Sequence, residues 1–231
     1  MHQGYVSLLE KLLINEWFLP KHTKVLRLCV LLVCCNLVYA SEASLLAPDV
    51  QAGLRTDILN PIEPHLVFDT QVKANAWLSD MSNRLKKWVP DESVRKRYLT
   101  IIQYEAARAG LDPQLILALI TVESKFNKSA VSHKGAMGMM QVMPFWKTQI
   151  GTSNQSLFDI ETNIRYGCTI LRYYWERAGF DMNRALAAYN GSLGESWYPE
   201  LVMNAYYTYW QPATVVEIKN GKIVTIDYTD K

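Results

Sequence analysis

A mainly α fold closed by a short C-terminal β-hairpin is predicted by three features of the sequence. Apolar residues recur at helical spacing in successive blocks between residues 69 and 210, several of them introduced by Asp or ended by Gly. One block, Leu115–Val122, is apolar almost all round and reads as the buried centre of a helical domain. Only the last segment changes period, into two β-rich stretches around Asn220-Gly221.

The chain begins with a segment that does not belong to that fold. Leu28–Leu37 is an apolar run preceded by Lys21, Lys24 and Arg27 and followed by Val38-Tyr39-Ala40. A basic flank, a short apolar stretch and small residues before a cut site describe a secretory signal peptide over residues 1–40, hence a periplasmic protein. An uncleaved inner-membrane anchor is the alternative, because the region before Lys21 is long. Without these residues the two signs of charge balance, and Cys168 is the only cysteine left, so no intramolecular disulfide is expected in the mature chain. Across all 231 residues, 49% are hydrophobic and 20% charged, enough for a real core and too apolar for a disordered chain. With 24 Lys and Arg against 22 Asp and Glu and no basic block, nucleic acid is not an expected partner.

The elements follow in order. Residues 41–92 read as a linker and an N-terminal helical extension. Pro48, Gly53, Pro61 and Pro64 make its first part loop-like, and a helix over about 69–88 faces Val72, Ala76 and Leu85 inward before Pro90 stops it. Residues 93–212 form the main domain. Its first helix runs from about Ser93 to Ala109 and ends at Gly110, a C-cap residue. Asp112-Pro113 opens the next, with Asp as N-cap and Pro at the first helical position. Helical patterns follow at about 137–150, 160–178, 182–190 and 200–210, and residues 213–231 carry the hairpin through a type I′ turn.

Glu123 is the residue that asks for an explanation. Leu115, Leu119 and Glu123 stand at i, i+4 and i+8, which places a carboxyl on a face that has been apolar for two turns. The C-terminal end of a helix also disfavours negative charge. Both effects raise a carboxyl pKa toward the value a general acid needs. The alternative is a solvated Glu on a frayed last turn.

Four ordered motifs bear on that choice: Glu123-Ser124-Lys125-Phe126-Asn127, Ala130-Val131-Ser132, Gly135-Ala136-Met137-Gly138-Met139-Met140-Gln141-Val142-Met143-Pro144, and Ala188-Tyr189-Asn190-Gly191. Over about residues 95–210 the chain resembles the soluble-type lytic transglycosylases, lysozyme-like peptidoglycan lyases of glycoside hydrolase family 23. His133-Lys134 and Met139 depart mildly from the family's pattern, and its late Tyr-Val motif is matched only loosely by Asn204-Ala205-Tyr206. The resemblance implies a lysozyme-like helical domain with Glu123 as catalytic acid/base. It assigns Ser132, Gln141, Met143, Tyr189 and Asn190 to substrate binding. Each keeps an alternative: Ser132 as a loop serine bonding its own backbone, Gln141 as an amide satisfying a loop, Met143 and Tyr189 as core.

Most glycosidases use two carboxylates, yet Lys125–Leu157 contains no Asp or Glu, and Asp159 reads as an N-cap. The gap suits the lyase route that the resemblance implies. One Glu protonates the leaving oxygen, the sugar's N-acetyl group assists, and the same Glu then takes the C6 hydroxyl proton to give a 1,6-anhydromuramoyl product. A goose-type lysozyme-like hydrolase and a non-catalytic glycan-binding component of an envelope machine are the alternatives. The implied partners are peptidoglycan glycan strands, with a secretion or conjugation apparatus left open. Trp146, Trp175, Trp197, Tyr198, Tyr206, Tyr207, Tyr209 and Trp210 offer flat faces to sugar rings, at least half of them core. Lys125, Lys128, Lys134 and Lys147 could meet muramoyl-peptide carboxylates or form a solvated face. No metal or cofactor is expected, since a lone His133 without a His-Glu-x-x-His pattern does not suit a zinc site.

Overall fold

The computed structural model describes residues 46–211, 215–219 and 222–226. Eight α-helices lie among them: α1 Pro48–Leu59, α2 Gln71–Leu85, α3 Glu92–Arg108, α4 Pro113–Glu123, α5 Phe145–Ile150, α6 Ile160–Arg177, α7 Met182–Asn190 and α8 Trp197–Ala205. A single π-helical turn, Tyr206–Trp210, continues α8 and closes with the Gln211 N–H on the Tyr206 carbonyl at 2.7 Å. Strands β1 Val215–Lys219 and β2 Lys222–Ile226 pair antiparallel, with Lys219 opposite Lys222. The type I′ turn expected at Asn220-Gly221 and the signal peptide expected over residues 1–40 lie outside the described residues.

Local chemistry explains where most helices begin. The carboxylates of Asp91, Asp112, Asp159 and Asp181 accept hydrogen bonds from the N–H groups of Val94, Gln114, Thr162 and Arg184, capping α3, α4, α6 and α7. Thr70 does the same for Lys73 at the head of α2. At the other ends, Gly110 and Gly191 adopt the left-handed conformation that stops α3 and α7.

Helix α4 is the centre of the domain. Gln114 through Ile120 are buried without a break, and α3, α8 and the π-helical turn pack around it. Behind it, α3 and α6 are joined by the fully buried Glu105, which accepts from Arg165 Nε at 2.9 Å and Arg108 Nε at 2.7 Å. Buried carboxylates are tolerated only with such partners.

Four expectations are corrected. Val72 is 48% exposed, and α2 instead buries Ala74, Trp77, Met81 and Leu85, whose spacing follows the large indole of Trp77 rather than the β-branched Val72. The stretch read as a linker contains α1, with Pro48 at its first turn. It is tied to the α5 region by Gln51 Nε2 on the Gln149 carbonyl and Arg55 Nη1 on the Gly151 carbonyl, each 2.7 Å. Residues 137–144 are not helical: Met137 bridges both Val131 and Val142, Gly138 and Gln141 have positive φ, and the helix begins only at Phe145. Helix α8 starts at Trp197 rather than 200 and gives way to the π-helical turn after Ala205.

Candidate active site

The site grows from the C-terminal end of α4. Because Ile116 through Ile120 are buried, the last turn carries Glu123 out of the core while keeping its carboxyl half-covered. The Tyr198 hydroxyl, from the first turn of α8, donates a hydrogen bond to Glu123 Oε1. Burial pushes the Glu123 carboxyl from its ordinary value of 4.5 up to about 7, against the opposing effect of the Tyr198 bond. Glu123 in turn raises Tyr198 and Tyr189, whose phenols burial has already pushed well above the ordinary value. The three groups therefore form one electrostatic unit in which the carboxyl titrates near neutral pH.

The chain after Glu123 turns sharply. Lys125 and Phe126 both adopt left-handed backbone, with φ of 51° and 65°, conformations that cost a non-glycine residue about 1–2 kcal/mol. Phe126 meets the rings of Trp88 and Trp210 at 5.5 and 5.8 Å, and Trp210 Nε1 donates to Thr121 Oγ1 at 2.9 Å. The turn is thus held by an aromatic cluster anchored on α4 itself.

The opposite wall is the segment 137–142, pinned from three helices. Ser124 Oγ of the α4 cap donates to the Met139 carbonyl at 2.7 Å, and the Tyr189 hydroxyl of α7 donates to the Met140 carbonyl at 2.7 Å. From α6, the buried Asn163 accepts from the Met140 N–H at 2.8 Å and donates to the carbonyls of Met137 and Leu157, both 2.9 Å. Gly138 is required there. It has φ of 77°, and a Cβ would fall 2.3 Å from Asn163 Nδ2 and 2.4 Å from the Leu157 carbonyl oxygen.

The expected site residues divide into two sets. Tyr189 stands within the electrostatic reach of Glu123, though its hydroxyl serves the 137–142 wall. Gln141, with φ of 49°, donates from Nε2 to the Gly138 carbonyl at 2.8 Å and the Ala130 carbonyl at 3.3 Å. Its amide oxygen has no partner among the described residues. Ser132 makes no bond to Glu123: its hydroxyl accepts from the Ala136 N–H at 3.0 Å, the local bonding of a loop serine. Met143 is half-buried and Asn190 exposed at the end of α7. Lys147 is not available as a solvated cation, because its Nζ donates to the carbonyls of Ser153 and Gln155 at 2.9 and 2.8 Å.

Tyr198, whose hydroxyl bonds the Glu123 carboxyl, was not legible as a site residue. It ranks in sequence as one of eight aromatics, and a helix begun at Glu200 leaves it in a loop. The signal was its place at the head of an amphipathic pattern beginning Ser196-Trp197-Tyr198-Pro199. Among the described residues no three His, Cys, Asp or Glu side chains could together hold a metal ion, and no helix is long and apolar enough to cross a membrane.

Part of the chain is similar to known proteins. The family model described as the transglycosylase SLT domain matches residues 100–200. The transglycosylase of Enterobacteria phage PRD1 is 37% identical over 91 residues, covering 39% of this chain and 33% of that protein. Membrane-bound lytic murein transglycosylase C of Photorhabdus laumondii is 34% identical over 114 residues, 42% of this chain and 32% of that one. A solved structure of an inactive mutant of lytic transglycosylase Slt from Pseudomonas aeruginosa shares 26% identity, with a TM-score of 0.37, over 48% of this chain and 21% of that chain. The chain spans about a third of the length of the curated relatives it matches. Residues 100–200, which hold Glu123, Gln141, Tyr189 and Tyr198, match the family model of the transglycosylase SLT domain.

Proposed function

We propose that this protein is a peptidoglycan lytic transglycosylase that cleaves the β-1,4 bond between N-acetylmuramic acid and N-acetylglucosamine, with Glu123 as the single acid/base. The observation that carries the reading is a carboxyl at the end of a buried helix, with one phenol donating to it, whose pKa burial raises to about 7. In the first half of the reaction Glu123 gives its proton to the glycosidic oxygen as the C1–O bond breaks, assisted by the N-acetyl oxygen. In the second half its carboxylate takes the C6 hydroxyl proton while that oxygen closes on C1, leaving a 1,6-anhydro sugar and the acid restored. The Tyr198 hydroxyl stabilises the carboxylate that exists between the two halves.

The other acids near the main domain have different work. Asp112 and Asp159 cap helices, and Glu105 is committed to two arginines. Glu195 caps no helix and pairs with no cation among the described residues. It is exposed on the loop joining Tyr189 to Tyr198, and a hydrolase would use an acid on that side as its second carboxylate. Digestion of purified sacculi followed by mass spectrometry separates the two readings, since the lyase product is lighter than the hydrolase product by one water. Glu195→Gln should leave anhydro product formation intact, and Asp159→Ala should lower stability by about 1 kcal/mol with activity per folded molecule preserved. Reducing-end products, lost in Glu195→Gln, would establish the two-carboxylate hydrolase instead. Export to the periplasm belongs to the same proposal, and N-terminal sequencing of the periplasmic form should find a chain starting at Ser41.

A further inference from the structure

Of the eight aromatics that sequence offers as sugar platforms, the structure withdraws several. Trp146, Tyr198 and Trp210 are buried. Trp175 and Phe180 pair with each other and with Arg172 at the α6–α7 turn. Tyr209 is covered by Lys87 Nζ, 3.3 Å above its ring. Trp197 is different on two independent grounds. Its indole is 50% exposed and meets the ring of the adjacent Tyr198 edge-on, centroids 5.8 Å apart. It also lies one residue from the tyrosine bonded to Glu123, at the exit of the 191–196 loop, whose two anchors Tyr189 and Tyr198 both flank that carboxyl.

This loop has nothing of its own to bury. Gly191 and Gly194 take positive φ, Leu193 is exposed, and Leu201, one turn beyond Trp197, is exposed as well. A half-exposed indole, with exposed Leu193 and Leu201 four residues before and after it in the chain and no cation over its ring among the described residues, suits the apolar face of a pyranose ring. Axial C–H groups of a sugar carry partial positive charge and meet the negative face of the ring system.

We propose that Trp197 is a stacking platform for a sugar ring of the bound glycan strand, flanking the bond held at Glu123. The assignment rests on the glycan-cleaving function proposed above and adds a binding position to it. Trp197 contributes there through contact area with the sugar, so its loss should appear in binding and KM rather than in kcat.

The test uses the full chain carrying Glu123→Gln, titrated with N-acetylglucosamine oligosaccharides and purified uncrosslinked glycan strands by calorimetry. Trp197→Ala in that background should weaken binding about tenfold, equivalent to about 1.4 kcal/mol. Trp197→Phe should recover most of it. Phe180→Ala should leave it unchanged, since that exposed ring stands at the opposite end of α7 from Tyr189. In the active chain, Trp197→Ala should raise KM on strands about tenfold with kcat within about twofold, and circular dichroism should show the parent's helical fold. Equal binding by Trp197→Ala and its parent would overturn the platform while leaving the proposed function standing. A parent that neither binds nor cleaves glycan strands would overturn the function itself.

Discussion

Replacing Glu123 by Gln should make the protein more stable as well as inactive, and the gain should depend on pH in a defined way. The carboxyl titrates at about 7 in the folded chain because burial disfavours its charge, against an ordinary value of 4.5. Each tenfold change in proton affinity is worth about 1.4 kcal/mol, so ionising Glu123 in the folded state costs about 3 kcal/mol relative to the unfolded chain. Below pH 4.5 the group is protonated in both states and Gln gains nothing over Glu. Between 4.5 and about 7 the unfolded chain has released a proton that the folded chain still holds, so wild-type stability falls as pH rises. Above about 7 both states are ionised and the difference levels off. Glutamine keeps the acceptor for the Tyr198 hydroxyl and carries no charge, so its advantage should grow across that window to about 3 kcal/mol, or roughly 6–12 °C in Tm for a domain of this size. Urea melts of the two proteins at half-unit intervals from pH 4 to pH 9 measure it, with turnover of sacculi recorded in parallel. A stability difference that stayed flat over the whole range would show that Glu123 is not held protonated, and the acid–base reasoning would fall with it.

Tyr198→Phe removes the hydrogen bond that favours the Glu123 carboxylate. The alkaline limb of the pH–rate profile should therefore move upward while kcat drops about tenfold. Gly138→Ala should destabilise the protein by about 2–4 kcal/mol in urea melts, combining the left-handed backbone with a Cβ that overlaps Asn163 and the Leu157 carbonyl. Glu105→Ala leaves Arg165 buried without its partner. Chemical denaturation should show a loss of about 3–5 kcal/mol, and activity per folded molecule should be far less affected.

Helix α4 and its acid could be read from sequence because each depends on local rules. Asp112-Pro113 is a cap signal that the Gln114 N–H answers, and the step of four from Leu115 to Glu123 is geometry that any helix obeys. The cap Asp159 was legible for the same reason. Residues 137–144 misled because Met137, Met140 and Pro144 imitate helical spacing, whereas the local structure is decided by Asn163, more than twenty residues away in the chain. Lys147 illustrates the same limit: its charge predicts solvent, and two carbonyls of the segment that follows α5 capture it. Tyr198 and Glu123 are separated by 75 residues, and no local pattern announces a bond across that interval. Tertiary contact decides such positions.

The unbroken burial of Gln114–Ile120 has a consequence for time rather than energy. Amides in the middle of α4 can reach water only when the packing of α3, α8 and the π-helical turn is lost together, so their hydrogen exchange should follow global unfolding. The loop at 191–196 is exposed along most of its length and should exchange orders of magnitude faster through local openings. The proton-carrying side chain therefore stands at the end of a slowly exchanging helix and bonds a tyrosine at the end of a quickly exchanging loop. Under the proposed function, strand release timed by stopped-flow should track exchange of that loop rather than the unfolding rate of α4.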